Sequence, residues 1–213
     1  MRFTTIFFDL DDTLYPASTG LWRTLKVRMH DYMCAHLGIP ENEIPGLREK
    51  YFMQYGTTLR GLQANHQIDT ADYLAYVHDV PLGDYLIPDP VQRSVIASLG
   101  TRNLIFTNAD ASHARRVLAA LELEDLFETV VDINAMEPYC KPMTESFAIA
   151  MQAAGVSDPA GCVIIDDLPR TTRAARGLGI FSLLYGHAQA RPDADAAFTD
   201  WRALPGLLNG STA

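Results

Sequence analysis

The chain has 213 residues, 48% hydrophobic and 20% charged, which is typical of a globular protein with one large domain or a core and a smaller appendage. A formal net charge of −9 and a pI of about 5.0 argue against a protein that coats nucleic acid, but they allow small phosphorylated ligands. There is no apolar run of membrane-spanning length, no C-x-x-C pair among three cysteines and no signal-peptide pattern. We therefore expect a cytoplasmic protein without membrane or nucleic-acid partners, and the sequence leaves its oligomeric state open.

The first predicted strand ends in a cluster of carboxylates. Residues 6–8, Ile-Phe-Phe, indicate a buried strand of a parallel sheet, and Asp9, Asp11 and Asp12 follow directly. Carboxylates this close repel one another, and each resists leaving water. A bound cation at this point would resolve the conflict.

A block of helices without strands follows the first strand. Residues 21–37, 41–56 and 69–79 carry apolar side chains at helical spacing. The stretch 57–68 is less regular, and 81–90 is rich in proline and glycine, as expected of a linker. We expect this block to be an insertion.

Beyond the linker, helices alternate with strands. The strands are predicted in the segments NLIFTN (103–108), TVVDI (129–133), CVIIDD (162–167) and IFSLLY (180–185). This alternation is typical of βαβ units and a parallel sheet. We expect an α/β fold, in which a three-layer Rossmann-like core comprises residues 1–15 and 88–213. Residues 16–87 form the inserted helical domain.

Polar residues occupy four places at strand ends or in the loops that follow them. They are Asp9 to Thr13, Thr107 with Asn108, Lys141 with Pro142, and Asp166 with Asp167. Each pair alone is common in turns and helix caps. Together they gain weight, because ligands of open α/β sheets bind beyond the carboxyl ends of the strands.

These residue types suit phosphoryl transfer. Facing carboxylates can hold Mg²⁺ through oxygen ligands and leave room for a phosphate oxygen. One carboxylate could attack phosphorus while a second acid, two residues along, donates and accepts protons. Hydroxyl and amide groups would bind the phosphate oxygens, and a lysine would offset developing charge.

The ordered motifs "DLDDT", "TN", "KP" and "DD" resemble those of the haloacid dehalogenase-like hydrolase superfamily. The resemblance implies that Asp9 is the nucleophile and Asp11 the acid/base, which also binds the metal through its carbonyl. It implies that Thr107, Asn108 and Lys141 bind phosphate. Lys141 would also be the catalytic charge stabiliser.

The same resemblance assigns the remaining metal ligands. Asp167 would be the metal carboxylate, with Asp166 as a supporting acid or alternative ligand. The family commonly has a further polar or acidic residue one turn later, where this chain has Thr171 and Thr172. The insertion is similar to the helical cap of one branch of the superfamily.

A narrower resemblance, to the pyrimidine 5′-nucleotidase-type subgroup, involves "LDDTLYP", "YGTTLRGL" and "HDVPLGDYLIPDP". It places Arg60 and Gly61 in the cap, where they would contact the substrate. Tyr55 and His66 are suited to stacking and hydrogen bonding with a planar base. The remaining helical histidines and arginines considered are interpreted as structural or solvated: His30, His36, His113, Arg115 and Arg116.

The resulting hypothesis is a Mg²⁺-dependent phosphomonoesterase that acts on a small phosphorylated metabolite, such as a pyrimidine nucleoside 5′-monophosphate, through an aspartyl-phosphate on Asp9. Another small-metabolite phosphatase or a phosphomutase would use the same residues. A haloacid dehalogenase would not need Asp11 or the acidic pair at Asp166 and Asp167. A phospho-aspartate regulatory domain has a similar inventory in a different order.

Overall fold

A computed structural model describes residues 3–189 and 192–210 of the chain. Its centre is a six-stranded parallel sheet with strand order β3-β2-β1-β4-β5-β6. The strands are β1 (Thr5–Phe8), β2 (Arg102–Phe106), β3 (Thr129–Val131), β4 (Cys162–Asp166), β5 (Phe181–Tyr185) and β6 (Ala196–Phe198). This is the predicted α/β, three-layer Rossmann-like fold, with β6 as a short edge strand that the sequence pattern did not indicate.

Strand β1 is the centre of the sheet, and its residues are fully buried. Phe8 is in register with Ile105 of β2 on one side and with Ile165 of β4 on the other. The pairing continues one residue further, because the backbone N–H of Asp9 donates to the carbonyl of Ile165 at 2.9 Å. Parallel strands in register end at one edge of the sheet, so the residues that follow β1, β2 and β4 meet there.

In the described residues beyond position 88, five α-helices accompany the strands. They are α5 (Pro90–Ser98), α6 (Ala111–Ala120), α7 (Thr144–Ala153), α8 (Pro169–Gly177) and α9 (Leu204–Leu208). Asp89 and Asp110 accept hydrogen bonds from the first-turn amides of α5 and α6 and so cap them. No helix within residues 3–189 and 192–210 is long and apolar enough to cross a membrane.

The helices between β1 and α5, residues 17–84, are called the cap here. They are α1 (Leu21–Ala35), α2 (Ile44–Tyr55), α3 (Thr58–Asn65) and α4 (Thr70–His78), with short 3₁₀ turns at Ala17–Thr19 and Leu82–Asp84. The prediction that the insertion is helical is therefore confirmed. Its boundaries at residues 16 and 87 remain predictions.

Helix α3 corrects the expectation of an irregular stretch at 57–68. The hydroxyl of Thr57 caps it by accepting a hydrogen bond from the amide of Arg60 at 3.1 Å. Gly61 lies directly against the ring of Tyr51, where an added Cβ would be 2.1 Å from a ring carbon. Thr58 and Gly61 have low helix propensity, but the Thr57 cap and close packing outweigh it.

Three arginines bridge the cap and the core through backbone carbonyls. Arg60 of the cap donates to the carbonyls of Ile133 at 2.5 Å and Tyr139 at 2.8 Å. Arg116 of α6 donates to the carbonyls of His78 and Val80 at 2.8 and 2.6 Å. Arg170 of α8 donates to the carbonyls of Phe52 and Gly56 at 2.9 and 2.6 Å. Arg116 is exposed, as predicted, but it also joins the two parts of the molecule.

Candidate active site

A buried lysine lies between two strand-end carboxylates. Lys141 Nζ is 2.6 Å from Asp9 Oδ1 and 2.7 Å from Asp166 Oδ2, and its side chain is 4% exposed. Thr13 donates its hydroxyl hydrogen to Asp9 Oδ2 at 3.0 Å, so both oxygens of Asp9 are oriented. Burial would lower the pKa of Lys141, but Asp166 and Asp9 raise it above its usual value. Lys141 is therefore a fixed positive charge beside Asp9.

Three carboxylates form the acidic cluster of the site. Oxygens of Asp9, Asp166 and Asp167 all lie within 4.8 Å of one another. Burial and repulsion from Asp166 raise the pKa of Asp9 to about 7, although Lys141 opposes the shift. Burial, Asp166 and Asp9 raise the pKa of Asp167 to about 9. One lysine does not compensate three acids, and an all-oxygen donor set of this size fits a hard divalent cation.

Asp11 lies outside the acidic cluster and has its own partners. Its Oδ1 accepts a hydrogen bond from the hydroxyl of Tyr15 at 2.6 Å and lies 3.0 Å from His113 Nε2. Burial would raise the pKa of Asp11, but His113 and Tyr15 together hold it below its usual value. Asp11 is therefore ionised when the site is free, a state suited to accepting a proton.

His113 is the residue that sequence reasoning missed. It was interpreted as a structural histidine on a helical pattern, and it is indeed buried, but its ring faces Asp11. Asp110 caps α6 and accepts the amide hydrogen of His113 at 3.0 Å. The position of His113 in the sequence could have indicated this role. It lies in the first turn of the helix that follows the Thr107 strand end, and that turn is at the same edge of the sheet as Asp11.

The predicted phosphate binders are at the end of β2. The hydroxyl oxygen of Thr107 accepts a hydrogen bond from the amide of Ala109 at 3.0 Å and keeps its own hydrogen for another partner. The side chain of Asn108 binds the backbone of Lys141 twice: Oδ1 accepts from its amide at 2.9 Å, and Nδ2 donates to its carbonyl at 3.0 Å. Asn108 thus fixes the loop that presents Lys141.

These groups form the floor of a cavity of about 490 Å³. We call the strand-end residues at its base the active-site floor; they are Asp9, Asp11, Thr107, Asn108, Lys141, Asp166 and Asp167. The cavity residues from α1, α2 and α4 form the cap wall; they are Trp22, Lys26, Met29, Pro45, Arg48, Glu49, Phe52, Tyr73, Leu74, Val77 and His78. A phosphoryl group fills only part of this volume, so the remainder is available to a leaving group.

The cap residues proposed from the sequence, Arg60, Gly61, Tyr55 and His66, are not among the residues that line this cavity. Arg60 is 6% exposed and binds the core carbonyls described above, together with Gln63 Oε1 at 2.7 Å. Tyr55 is half-buried in the apolar core, and Gly61 is covered by a tyrosine ring. The remaining candidate, His66, binds the hydroxyl of Tyr51 at 2.9 Å.

Two polar atoms of the cap wall lack partners among the residues that the structure describes. They are the hydroxyl of Tyr73 and Nε of Arg48, both buried. Burial lowers the pKa of Arg48 and raises that of Tyr73, and the guanidinium and the hydroxyl interact through space without a hydrogen bond. Unpaired buried donors are rare in folded proteins, so these atoms are candidates for ligand contacts.

The threonines that follow the acidic pair are buried on α8. Thr172 donates its hydroxyl hydrogen to the carbonyl of Pro169 at 3.1 Å, within its own helix. Thr171 is 1% exposed. In the described ranges, the acidic cluster consists of Asp9, Asp166 and Asp167, and neither threonine belongs to it.

The family model for haloacid dehalogenase-like hydrolases matches residues 3–179. The chain belongs to the haloacid dehalogenase-like hydrolase family. The match spans β1, the cap, α6, β4 and α8, and therefore includes both the floor and the wall. The superfamily resemblance seen in the sequence is confirmed.

A curated relative, "Phosphate metabolism protein 8" of Saccharomyces cerevisiae, is 31% identical over 193 residues. The match covers 84% of this chain and 60% of the yeast protein. The chain therefore spans about three fifths of the length of that relative.

Solved structures of the family share the fold. A HAD phosphatase from Thermococcus onnurineus has a TM-score of 0.65 and 19% identity, covering 99% of this chain and 100% of its own. The L-2-haloacid dehalogenase of Xanthobacter autotrophicus, with chloropropionic acid covalently bound, has a TM-score of 0.62, 17% identity and the same coverage. Both activities occur on this fold, so the fold alone does not choose between them.

Proposed function

We propose that the chain is a Mg²⁺-dependent phosphomonoesterase that forms an aspartyl-phosphate on Asp9. The observation that carries the proposal is the acidic cluster beside Lys141, within the floor of a cavity large enough for a substrate. A phosphate ester brings further negative charge to this place. Three acids with one lysine would repel it unless a cation balanced the charge.

The acidic cluster supplies the residues that would hold the metal ion. They are Asp9, Asp166 and Asp167, with the backbone carbonyl of Asp11 as the further ligand implied by the family resemblance. A bound Mg²⁺ would supply charge neutralisation between the nucleophile and the phosphoryl group. Because Lys141 already neutralises part of Asp166, Asp167 is the carboxylate with the greatest need of the ion.

The protein groups then divide the reaction between them. Asp9, oriented by Thr13 and Lys141, attacks phosphorus as the leaving oxygen departs. Asp11 gives a proton to that oxygen, and it later takes a proton from the water that hydrolyses the acyl-phosphate. A bound phosphoryl dianion raises the pKa of the neighbouring Asp11, which favours the protonated form that the first step needs. Thr107 and Lys141 bind the phosphoryl oxygens.

The cap wall supports a substrate whose leaving group has an apolar, planar part. Aromatic side chains from three cap helices, Trp22, Phe52 and Tyr73, face the cavity together with aliphatic ones. Donors on Arg48 and Tyr73 would bind acceptors on that group. A nucleoside 5′-monophosphate, with a pyrimidine base, has this combination and is the substrate that we propose.

Other activities that the same floor residues could carry out are less well supported. A dehalogenase has no use for an acid at Asp11 or for a cluster of three carboxylates, two of which, Asp9 and Asp166, are buried here at a cost in free energy. A phosphomutase would use the same floor but transfer the phosphoryl group to a second hydroxyl. Transfer of label to a sugar acceptor, or chloride release from 2-chloropropionate, would reveal either activity.

The decisive experiment measures phosphate release from 4-nitrophenyl phosphate with Mg²⁺ and with excess chelator. We expect turnover only with the metal ion, and none in Asp9→Asn, which keeps the shape of the side chain but loses its nucleophilic charge. Acid quench of the wild type should trap a phosphorylated chain that Asp9→Asn does not form. Turnover that survives chelation, or that survives in Asp9→Asn, would exclude this mechanism.

The substrate proposal is tested separately with a panel of phosphomonoesters. We expect kcat/KM for UMP and CMP to exceed that for glycerol 3-phosphate and glucose 6-phosphate, which offer no apolar ring to the cap wall. If all four substrates react equally well, the nucleotidase assignment falls and the phosphatase assignment remains.

A further inference from the structure

Two hydrogen-bond partners converge on one oxygen of Asp11. Tyr15 lies 2.6 Å and His113 Nε2 3.0 Å from the same atom, Oδ1. The second oxygen, Oδ2, has no hydrogen-bond partner in the part of the chain that the structure describes. The side chain is 14% exposed and lines the cavity. Oδ2 is therefore the oxygen that a substrate can reach.

One ring nitrogen of His113 faces Asp11. An ionised carboxylate oxygen can only accept, so Nε2 of His113 carries a hydrogen and donates it to Oδ1 of Asp11. Nδ1 of His113 is buried and has no partner among the described residues. Among those residues, the ring therefore hydrogen-bonds to Asp11 through Nε2.

A second histidine, from the cap, holds this ring in place. His78 stacks on His113 with ring centroids 4.1 Å apart and an interplanar angle of 17°. Nδ1 of His78 lies 2.5 Å from Asp110 Oδ2, while the other oxygen of Asp110 accepts the amide hydrogen of His113. Asp110 thus binds the ring of His78 and the backbone amide of His113, and the His113 side chain, 0% exposed, is enclosed between His78 and Asp11.

We propose that His113 is a positioning residue that occupies Oδ1 of Asp11 and so leaves Oδ2 to carry the transferred proton. This inference rests on the proposed phosphatase reaction. In the first step, the bond from Asp9 to phosphorus forms, the bond from phosphorus to the leaving oxygen breaks, and the proton on Oδ2 moves to that oxygen. In the second, the bond from the water oxygen to phosphorus forms, the bond between Asp9 and phosphorus breaks, and a proton of that water moves to Oδ2. His113 and Tyr15 remain hydrogen-bond donors to Oδ1 throughout.

The test compares phenyl phosphate with 4-nitrophenyl phosphate, a matched pair that differs in leaving-group quality. Nitrophenolate departs readily without a proton, whereas phenolate needs one, and kcat/KM reports the step in which the leaving group departs. For His113→Ala we expect kcat/KM to fall roughly 100-fold on phenyl phosphate and less than about tenfold on 4-nitrophenyl phosphate. The ratio between the two substrates is the readout, since a general loss of folded protein would lower both values equally.

Two further variants separate positioning from packing. His113→Gln retains an N–H donor but no ionisable ring, and it should recover at least about tenfold of the loss on phenyl phosphate. Tyr15→Phe removes the other donor to Oδ1 with the loss of a single atom, so it should shift the ratio in the same direction even if the His113 variants fold poorly. His30→Gln, on α1 outside the cavity, is the matched histidine control and should leave the ratio unchanged.

The outcomes distinguish this inference from the proposed function. If Asp9→Asn is inactive but His113→Ala and Tyr15→Phe lower both substrates by the same factor, the positioning role is wrong and the phosphatase stands. If kcat/KM of His113→Gln on phenyl phosphate is no higher than that of His113→Ala, the positioning role is also wrong. If Asp9→Asn retains activity, the proposed function itself is wrong.

Discussion

The active-site floor and the cap wall face the same cavity but are built by different means. The floor residues follow parallel strands or lie in the loops beyond them, so backbone hydrogen bonding sets their positions to within one residue. The wall residues come from three helices whose orientation depends on packing and on arginine bridges to the core. In the proposed reaction, the groups that need fixed distances are therefore at the ends of the strands. The surface that would select a leaving group is on the helices.

The charges of the two regions differ as well. The floor holds four carboxylates, Asp9, Asp11, Asp166 and Asp167, and one lysine. The wall carries Lys26 and Arg48, opposed by Glu49, among apolar side chains. In the proposed reaction, a substrate that spans both would present its phosphoryl group to a cation on the floor and its apolar part to the wall. The predictions below test whether this division of work is real.

The largest effect is expected for Asp167→Asn on the floor. Loss of one of three carboxylates should lower kcat by at least about 100-fold, since even groups that only support a metal ligand contribute 10- to 100-fold. The metal-free variant should nevertheless melt at a higher temperature than the wild type at pH 8.5, because the wild type must take up a proton at Asp167, whose pKa is about 9, that the unfolded chain does not bind at this pH. Steady-state kinetics and calorimetry measure the two effects.

Asp12→Asn is the matched control for that variant. Asp12 also lines the cavity but lies outside the acidic cluster. Its φ of 60° is a backbone conformation that asparagine adopts readily. We expect less than a tenfold change in kcat. An equal loss in both variants would mean that general negative charge, and not the acidic cluster, sustains the activity.

Addition of Mg²⁺ should stabilise the protein in a pH-dependent way. The pKa values of Asp9 and Asp167, about 7 and about 9 against 3.8 ordinarily, mean that the folded protein binds protons more tightly there than the unfolded chain does. The stability that these protons contribute is complete below pH 4 and is lost as pH rises through 7 and 9. A cation replaces the protons, so we expect Mg²⁺ to raise Tm by about 5 °C at pH 8.5 and by much less at pH 5.5.

Asp167→Asn supplies the control for this measurement. Its Mg²⁺-induced rise in Tm should be smaller at pH 8.5 and nearly independent of pH. A rise that is the same at both pH values in the wild type would place the ion elsewhere on the molecule.

Arg60→Met tests whether the cap attachment is separate from catalysis. The methionine keeps most of the volume but leaves the carbonyls of Ile133 and Tyr139 without their donor, which should lower the free energy of unfolding by about 2 kcal/mol. Because Arg60 does not line the cavity, KM for 4-nitrophenyl phosphate should change less than threefold. Denaturant unfolding and initial rates provide the two numbers.

Arg115→Met, an exposed arginine on α6, is the control and should change neither quantity. A large rise in KM for Arg60→Met without a loss of stability would restore the sequence-based view of Arg60 as a substrate ligand.

The smallest effect is expected for Tyr73→Phe on the wall. Its hydroxyl is buried and has no hydrogen-bond partner among the described residues, so its removal should leave stability unchanged or raise it by less than about 1 kcal/mol. The preference for UMP over phenyl phosphate, measured as a ratio of kcat/KM values, should fall several-fold. Tyr32→Phe, which removes a hydroxyl bound to Asp72 at 2.9 Å, should instead destabilise the protein and leave that ratio unchanged.

The floor residues could be predicted from the sequence because the carboxyl ends of parallel strands lie at the same edge of the sheet. Two apolar runs end in acids, a third ends in Thr-Asn, and a lysine lies in a later loop, and together these mark one edge of the sheet. The register of β1 with β2 and β4 then determines which side chains lie next to one another at that edge. The edge strand β6 was not predicted, because three residues of mixed burial carry no clear pattern. The alternation of strands and helices sufficed for the rest of the sheet.

The wall could not be predicted in the same way. Helical periodicity shows which face is buried, but not whether that face meets the core or a cavity. Arg60 looked like a ligand because its stretch has few charges, yet backbone carbonyls, which leave no trace in the sequence, are its partners. His113 looked structural because its position in the helical pattern indicated burial. The sequence did not show that its ring contacts Asp11, which is 102 positions away.

The arginine bridges between cap and core have a consequence for how this sequence can change over evolutionary time. Every acceptor in them is a peptide oxygen, which any amino acid provides, so the side chains at Ile133 and Tyr139 can change without removing the acceptors of Arg60. Among the described residues, the donors in these bridges are the side chains of Arg60, Arg116 and Arg170. New leaving-group preferences can therefore arise on the helices while their attachment to the catalytic edge is inherited unchanged.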